Sequence, residues 1–393
     1  VSARILVVLG GLMVLGVFMT DLYLPALPDI ADGLGGSDSA VQVTLTGCLI
    51  GLGLGQLTVG TLSDTFGRRG PLLLGLVVFA ASSLACAIAP SLLVLDIARV
   101  VQGVAGGAGM VLARAIVSDE SAGLDAGRAY AVLGALTGVG PILAPTLGAA
   151  LLVITDWRGV FVALAIATAP VFLAATVWVP PMPAHHRRAG GARATLHAFR
   201  TLLRDWGFLG YAVASGFAGG TLFAYISGSS FVLQDVFGLS PQLYAVVFAG
   251  NGAGFLVTAL ISGRVLPRFG HERLLAAGLI GQAGSSAALL GVILLDVGLG
   301  AVLVCLFVAM AAVGLIMPNS TALALAGRGA LTGAASALFG MFGFSFGAIV
   351  APVVGVAGTS AVPMAIVMAA LSAGGLLTFT RRRAPAPSVS AGA

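Results

Sequence analysis

Two charged residues stand inside long apolar stretches: Asp21, in Thr20-Asp21-Leu22-Tyr23-Leu24-Pro25, and Arg99, in Asp96-Ile97-Ala98-Arg99-Val100-Val101-Gln102-Gly103. Placing a charge at the centre of a bilayer costs on the order of 2.5–3.5 kcal/mol on insertion scales, so such a residue implies a cavity, a partner or a function. A carboxylate whose proton affinity is raised by an apolar cavity and lowered by a nearby cation can exchange a proton between two sides of a membrane. Asp21 has a second reading, as a wetted residue at the outer interface. Arg99 also reads two ways. It can pair with Asp96 one turn earlier on the same helix, or project into a central cavity and shape substrate or proton binding. Tyr23, Gln42, Gln102, Tyr225, Phe231, Asn251 and Asn319 are the further candidates for the wall of such a cavity, because a binding site needs a few placed polar or aromatic groups in an apolar lining. Each of them also has a plain packing reading.

Other chemistries lack their residues. The chain contains no lysine, and a phosphate-binding loop requires one. Gly343-Phe344-Ser345-Phe346-Gly347 matches a hydrolase nucleophile string, but it falls in an apolar run rather than on a strand-to-helix turn. The four histidines, His185, His186, His197 and His271, fall in expected loops, which leaves no base for catalysis and no intramembrane metal site. Cys48, Cys86 and Cys305 are odd in number and widely spaced, so they read as packing residues rather than as a disulfide or zinc framework. No enzyme activity, cofactor or metal is expected, and energy must come from a partner subunit or an ion gradient.

The elements that must hold these residues are membrane spans. Only 8% of the 393 residues are charged, against about 25% in soluble domains, so lipid is the main solvent. Runs of about 20 apolar residues, the length needed to cross, lie near 5–27, 40–62, 71–89, 92–114, 129–153, 159–179, 207–233, 242–263, 274–295, 299–325, 332–355 and 360–380. The first is too long for a signal-peptide core and reads as an uncleaved span. These runs predict an all-α integral membrane protein of twelve transmembrane helices in two six-helix pseudo-symmetric halves. The halves are 1–180 and 207–380, with a basic linker at 181–206 and a tail at 381–393.

With a cytoplasmic N-terminus, the inside loops hold Arg4, Arg68, Arg69, Arg128, five linker arginines, Arg264, Arg268, Arg273, Arg328 and Arg381–Arg383, while the outside loops hold Arg158 alone. That asymmetry is the positive-inside rule and puts both termini in the cytoplasm. The net charge of +5 therefore speaks for topology and not for a nucleic-acid partner. Two motifs recur at half the chain length. Gly60 to Arg69 is echoed by Gly263 to Arg273, and Gly140-Pro141 to Gly148 by Gly347 to Gly355. Repeated six-span halves are how two-lobed transporters are built. Small residues four apart, Gly51/Gly55, Gly103/Gly107, Gly134/Gly138 and Gly343/Gly347, mark helices that approach closely.

These residues resemble the major facilitator superfamily. Gly60-Thr61-Leu62-Ser63-Asp64-Thr65-Phe66-Gly67-Arg68-Arg69 is similar to its loop 2–3 signature, which implies a conformational latch of Gly60, Asp64, Gly67, Arg68 and Arg69. Arg99 to Gly103 resembles the span-4 motif with the buried arginine. Gly134, Gly138, Pro141, Pro145 and Gly148 resemble the span-5 motif of exporters that swap drug for protons, without its doubled terminal glycine. Thr20 to Pro28, Trp157 to Phe161 and Tyr225 to Gln234 resemble the bicyclomycin/chloramphenicol-resistance (Bcr/CflA) subgroup. The resemblance implies a drug:proton antiporter of the bacterial inner membrane, monomeric, with a small amphipathic drug as substrate. Asp21 and Arg99 would couple it to the proton gradient. Met13 stands where some multidrug relatives carry a second acid, which favours neutral or weakly polar substrates. A proton-coupled nutrient importer of the same fold is the alternative.

Overall fold

The computed structural model describes residues 2–120, 123–180, 191–328, 331–355 and 360–383, and these are helical throughout apart from short turns. The helices are α1 (Ala3–Asp21), α2 (Leu27–Leu34), α3 (Asp38–Phe66), α4 (Arg69–Ala87), α5 (Leu92–Glu120), α6 (Gly123–Leu151), α7 (Trp157–Trp178), α8 (Gly191–Leu202), α9 (Trp206–Phe231), α10 (Pro241–Leu294), α11 (Leu299–Leu325), α12 (Thr332–Gly355) and α13 (Ala361–Arg383). Eleven of the helical stretches among the described residues are long and apolar enough to cross a membrane. One of them, α10, has 54 residues, about 80 Å of helix, far more than the roughly 30 Å of a hydrocarbon core. Gly270 breaks it, with φ 75° and ψ 159°. The two spans expected at 242–263 and 274–295 are thus both present, and the crossings number twelve.

Gly67, after α3, has φ 82° and ψ 167°. The glycines that end the two repeated loop motifs, 203 positions apart in the chain, therefore turn the backbone in the same left-handed way. Side chains other than glycine avoid that region. The repeat noticed in the sequence is a repeat of backbone geometry.

Three elements differ from the sequence expectation. The first span is helical only to Asp21, followed by a short 3-10 turn at Leu24–Ala26 and then α2. Pro25 and Pro28 have no N–H to give the carbonyls of Asp21 and Leu24, so the helix cannot continue. Within the polar linker, residues 191–202 form the amphipathic helix α8, while 181–190 and the tail from 384 lie outside the described residues. After α9 the chain makes a π-turn at Val232–Val236, a feature that no hydrophobic pattern announces.

Helix α3 packs on α5 at glycines. A side chain at Gly51 or Gly55 would overlap the carbonyl oxygen of Val100 or Val104, and one at Gly103 or Gly107 that of Cys48 or Leu52. In the second half the corresponding pair, α10 and α11, keeps one such contact, Gly314 against Phe255, and adds a hydrogen bond from Thr258 Oγ1 to the Ala311 carbonyl at 2.5 Å. The two halves meet along α3–α12 and α6–α10. Gly51→Ala should lose folded protein, since overpacking a tight contact costs about 1–3 kcal/mol. Gly53→Ala should be tolerated, because that position faces open space. Yield and melting temperature of the purified variants check this, and equal behaviour would refute it.

Candidate functional site

Arg99 is fully buried on α5. Its Nη1 donates to the Met19 carbonyl at 2.8 Å and to Gln102 Oε1 at 2.5 Å. The Met19 carbonyl is available because α1 stops at Asp21. The last backbone bond of the helix runs from the Leu22 N–H to Phe18, which leaves Met19 among the orphan acceptors of a helix end. The negative end of the helix dipole points at the guanidinium as well. Gln102 Nε2 passes the chain of bonds on to Ser83 Oγ at 2.7 Å, and Ser83 bonds the Phe79 carbonyl at 2.7 Å. The guanidinium lies 4.3 Å from the centre of the Tyr23 ring, a cation–π contact in a desolvated place. Tyr23 is fixed in turn by Thr44, its hydroxyl 3.2 Å from Thr44 Oγ1, and by the Phe161 ring at 5.7 Å.

The local pair with Asp96 does not form. No hydrogen bond of Arg99 reaches Asp96, whose Oδ1 is buried without a partner among the described residues. Arg99 turns away from its helical neighbour toward the end of α1 and Gln102. Its Nε and Nη2 donate to nothing among the described residues.

Asp21 is buried, 4% exposed, as the last residue of α1. This excludes the reading of a wetted interfacial residue. It forms no ion pair with Arg99, whose bond to α1 falls two residues short of it. Gly148, the last glycine of the span-5 motif, packs so closely on α1 that a side chain there would overlap the Leu22 carbonyl. That contact presses α6 onto the residue following Asp21. Pro141 and Pro145 lie within the same helix. Gly138 faces Leu256 across the interface between the halves, with 3.6 Å to spare for a methyl, and Gly134 meets nothing.

The other candidates fall into separate groups. Tyr225 on α9 accepts a hydrogen bond from Asn251 Nδ2 of α10 at 2.8 Å and stacks on Phe248 at 5.2 Å. Gln42 and Phe231 line a small cavity between the halves together with Asp38, Val354 and Met364, and Gln42 Oε1 is buried there without a partner among the described residues. Asn319 does not join any of these. It lies near the arginine-rich end of α11, where Nδ2 donates to Ser262 Oγ at 2.8 Å and Oδ1 meets His271 Nδ1 at 2.9 Å. It is thus apart from the other cavity-wall candidates. Six residues from the end of α11 it is close to one surface, and it anchors the turn after Gly270.

In the first half the same triangle is charged. Arg68 donates to Asp119 Oδ2 at 2.8 Å and to Ser63 Oγ at 2.6 Å, next to Gly67. Arg69 donates to the Thr176 carbonyl at 2.7 Å, whose helical donor would be Pro180, which has no N–H. These bonds of the latch motif stay within the first half. Gly60 sits opposite Val111 of that half, and the side chain of Asp64 lies outside the described residues. At the arginine-poor end three hydrogen bonds cross between the halves among the described residues. They run from Ser230 to the Leu24 carbonyl at 2.7 Å, from Gln234 to Pro25 at 3.2 Å and from Gln242 to Ala149 at 3.4 Å. That end of the bundle is closed. Arg158, the exception to the charge rule, donates to the Ala87 and Ala89 carbonyls at 2.9 Å each and so caps the end of α4.

The sequence pattern of the Major Facilitator Superfamily matches residues 8–352. The chain belongs to that superfamily. Among curated relatives, this facilitator is 39% identical to an uncharacterized MFS-type transporter, YdgK, of Bacillus subtilis, over 94% of this chain and 93% of the relative. It is 29% identical to a bicyclomycin resistance protein homolog of Haemophilus influenzae, over 88% and 87% of the two chains. It is 31% identical to a chloramphenicol resistance protein of Pseudomonas aeruginosa, over 66% and 61%. These relatives support the bicyclomycin/chloramphenicol-resistance subgroup. The solved nucleoside transporter NupG has the same fold, with a TM-score of 0.77 and 13% identity over 96% of this chain and 99% of that one. So does a D-xylose-proton symporter, with a TM-score of 0.72 and 17% identity over 96% of each chain. This facilitator is a multi-pass membrane transporter with twelve crossings.

Thr44, Ser83 and Phe161, which complete the site, are not among the sequence candidates, and neither are the two backbone carbonyls of Met19 and Leu22. Arg99→Lys keeps the charge but loses the planar guanidinium that lies over the Tyr23 ring. Transport should fall roughly tenfold or more, equivalent to losing about 1.4 kcal/mol of transition-state stabilisation. Asp96→Asn should stay close to wild type. Equal losses in a side-by-side flux measurement would restore the local pair.

Proposed function

We propose that this facilitator is a proton-coupled exporter of small amphipathic, drug-like compounds in a bacterial cytoplasmic membrane, with both termini on the cytoplasmic side. The observation that carries the reading is Asp21. It is buried, it ends α1 where that helix breaks, and it has no ion-pair partner among the described residues although the Arg99 guanidinium binds the same helix end. A carboxylate so placed can take and release a proton as its surroundings change, and the two unused donors of Arg99 offer it a binding site in another conformation. The names of the relatives support efflux as the direction.

In this reading the halves on either side of the linker at 181–206 rock about α3–α12 and α6–α10 in alternating access. The bonds of Ser230 and Gln234 to the Leu24–Pro25 turn close the outer end. The turn they hold directly follows Asp21, so opening that end brings water to the carboxylate at once. A compound enters from the cytoplasm toward Tyr225, Asn251, Gln102 and Tyr23. Proton uptake by Asp21 from outside accompanies its release. The latch residues Gly60, Asp64, Gly67, Arg68 and Arg69 govern the cytoplasmic end. Energy comes from the proton gradient with no cofactor, and a single chain suffices.

Cells making the protein should accumulate less of a chloramphenicol-like or bicyclomycin-like compound than control cells, and a protonophore should abolish the difference. Higher accumulation, lost with the protonophore, would make the protein an importer. Asp21→Asn should fold normally, keep its drug binding within a few-fold, and release no protons on drug addition. Wild-type proton release from that variant would remove Asp21 from the mechanism.

A further inference from the structure

Helix α8 has a use that the transport cycle leaves unassigned. Its apolar side, Ala198, Phe199 and Leu202, packs against the core of the second half beside Phe208, Leu338 and Phe379. On the opposite side His197 and Arg200, three residues apart on one helix face, are exposed, and so is Arg204 in the turn that follows the helix. Next to it two large apolar side chains are left in the open: Leu203 at 46% exposure and Trp206 at 82%. Trp206 is also the first residue of α9, the span that enters the bilayer at this point.

The charge of this patch is not neutralised locally. The nearby acid, Asp205, is bonded to Arg328 and accepts from the Phe208 N–H at 3.2 Å. Partial burial pushes its carboxyl up, but the Arg328 and Phe208 bonds outweigh that and hold it below the ordinary carboxylate range. It is an ionised group already engaged by Arg328 and the Phe208 N–H. More positive charge lies at the same level. Helices α9 and α13 run antiparallel, with Gly375 against Ala214 and Leu371 against Gly220. That register brings exposed Arg381 to the depth of Trp206.

We propose that His197, Arg200, Arg204 and Arg381, with Trp206 and Leu203 as the interfacial anchor, form a binding surface for anionic phospholipid headgroups. Tryptophan at the start of a span sits at headgroup level. Arginines there bind phosphate in a planar, forked manner, and each basic residue near an anionic leaflet contributes about 1 kcal/mol of attraction. The amphipathic helix supplies the shape, with one face docked on the protein and one facing the membrane surface. The lipid would thus fix the start of α9 and the linker to one leaflet while the halves move.

The test uses the full chain, purified in detergent from vesicles of phosphatidylcholine and phosphatidylglycerol mixed in equal parts. Lipid retained after washing is counted by mass spectrometry. Wild type should keep phosphatidylglycerol in preference to phosphatidylcholine. Arg200→Gln with Arg204→Gln should lower that preference about thirtyfold, with an unchanged melting temperature in detergent. Arg200→Lys with Arg204→Lys should retain most of it. The control pair Arg264→Gln with Arg273→Gln, exposed at the same end of the bundle, removes equal charge elsewhere and should leave the preference intact. No preference in wild type, or an equal loss in the control pair, would overturn the assignment. Neither outcome depends on what the protein transports.

Discussion

A membrane-spanning helix leaves its last carbonyl groups with no N–H of its own to meet them, and within the hydrocarbon no water replaces it. Much of this structure follows from how those carbonyls are satisfied, and the agent is arginine. Arg99 takes Met19 at the end of α1, Arg158 takes Ala87 and Ala89 at the end of α4, Arg69 takes Thr176 at the end of α7, and Arg328 takes Ala324 at the end of α11. In a chain without lysine the guanidinium is the only strong cation available, and its fork of donors suits a cluster of acceptors. It also stays charged at any working pH. A group within the spans that could change its charge near neutrality has to be a carboxylate, and Asp21 is the one that sits where a helix breaks.

The break itself is a matter of two prolines. Pro25 and Pro28 stop α1 and begin the turn into α2. The stop frees the Met19 carbonyl for Arg99 and presents the Leu24 and Pro25 carbonyls to Ser230 and Gln234 across the interface. One local interruption thus links the buried cation, the acid and the closure between the halves. Gly148 adds the fourth element by letting α6 touch Leu22.

The spans are legible in the sequence because an apolar run of crossing length can do little else than cross. Asp21 and Arg99 are legible because a charge in such a run is conspicuous. Their partners are not. Met19 and Leu22 act through backbone oxygen, which no residue type encodes, so the more visible Asp96 competes for Arg99 in one dimension and loses in three. Asn319 is grouped with the others by the sequence because polarity within a span says nothing of the direction a side chain takes. Helix α8 hides in a stretch dominated by its charge, although its apolar residues recur at helical spacing. Gly67 and Gly270 show the converse case, where a modest sequence repeat corresponds to nearly identical backbone angles.

The glycine contacts differ between the halves, and this has a mechanical consequence. In the first half α3 and α5 touch backbone to backbone at four points, which makes that pair a stiff plate. In the second half α10 and α11 keep a single contact of this type and a threonine bond. Deformation under load should therefore collect in the second half. The first half, holding the acid and the buried guanidinium, is by these contacts the more rigidly packed of the two.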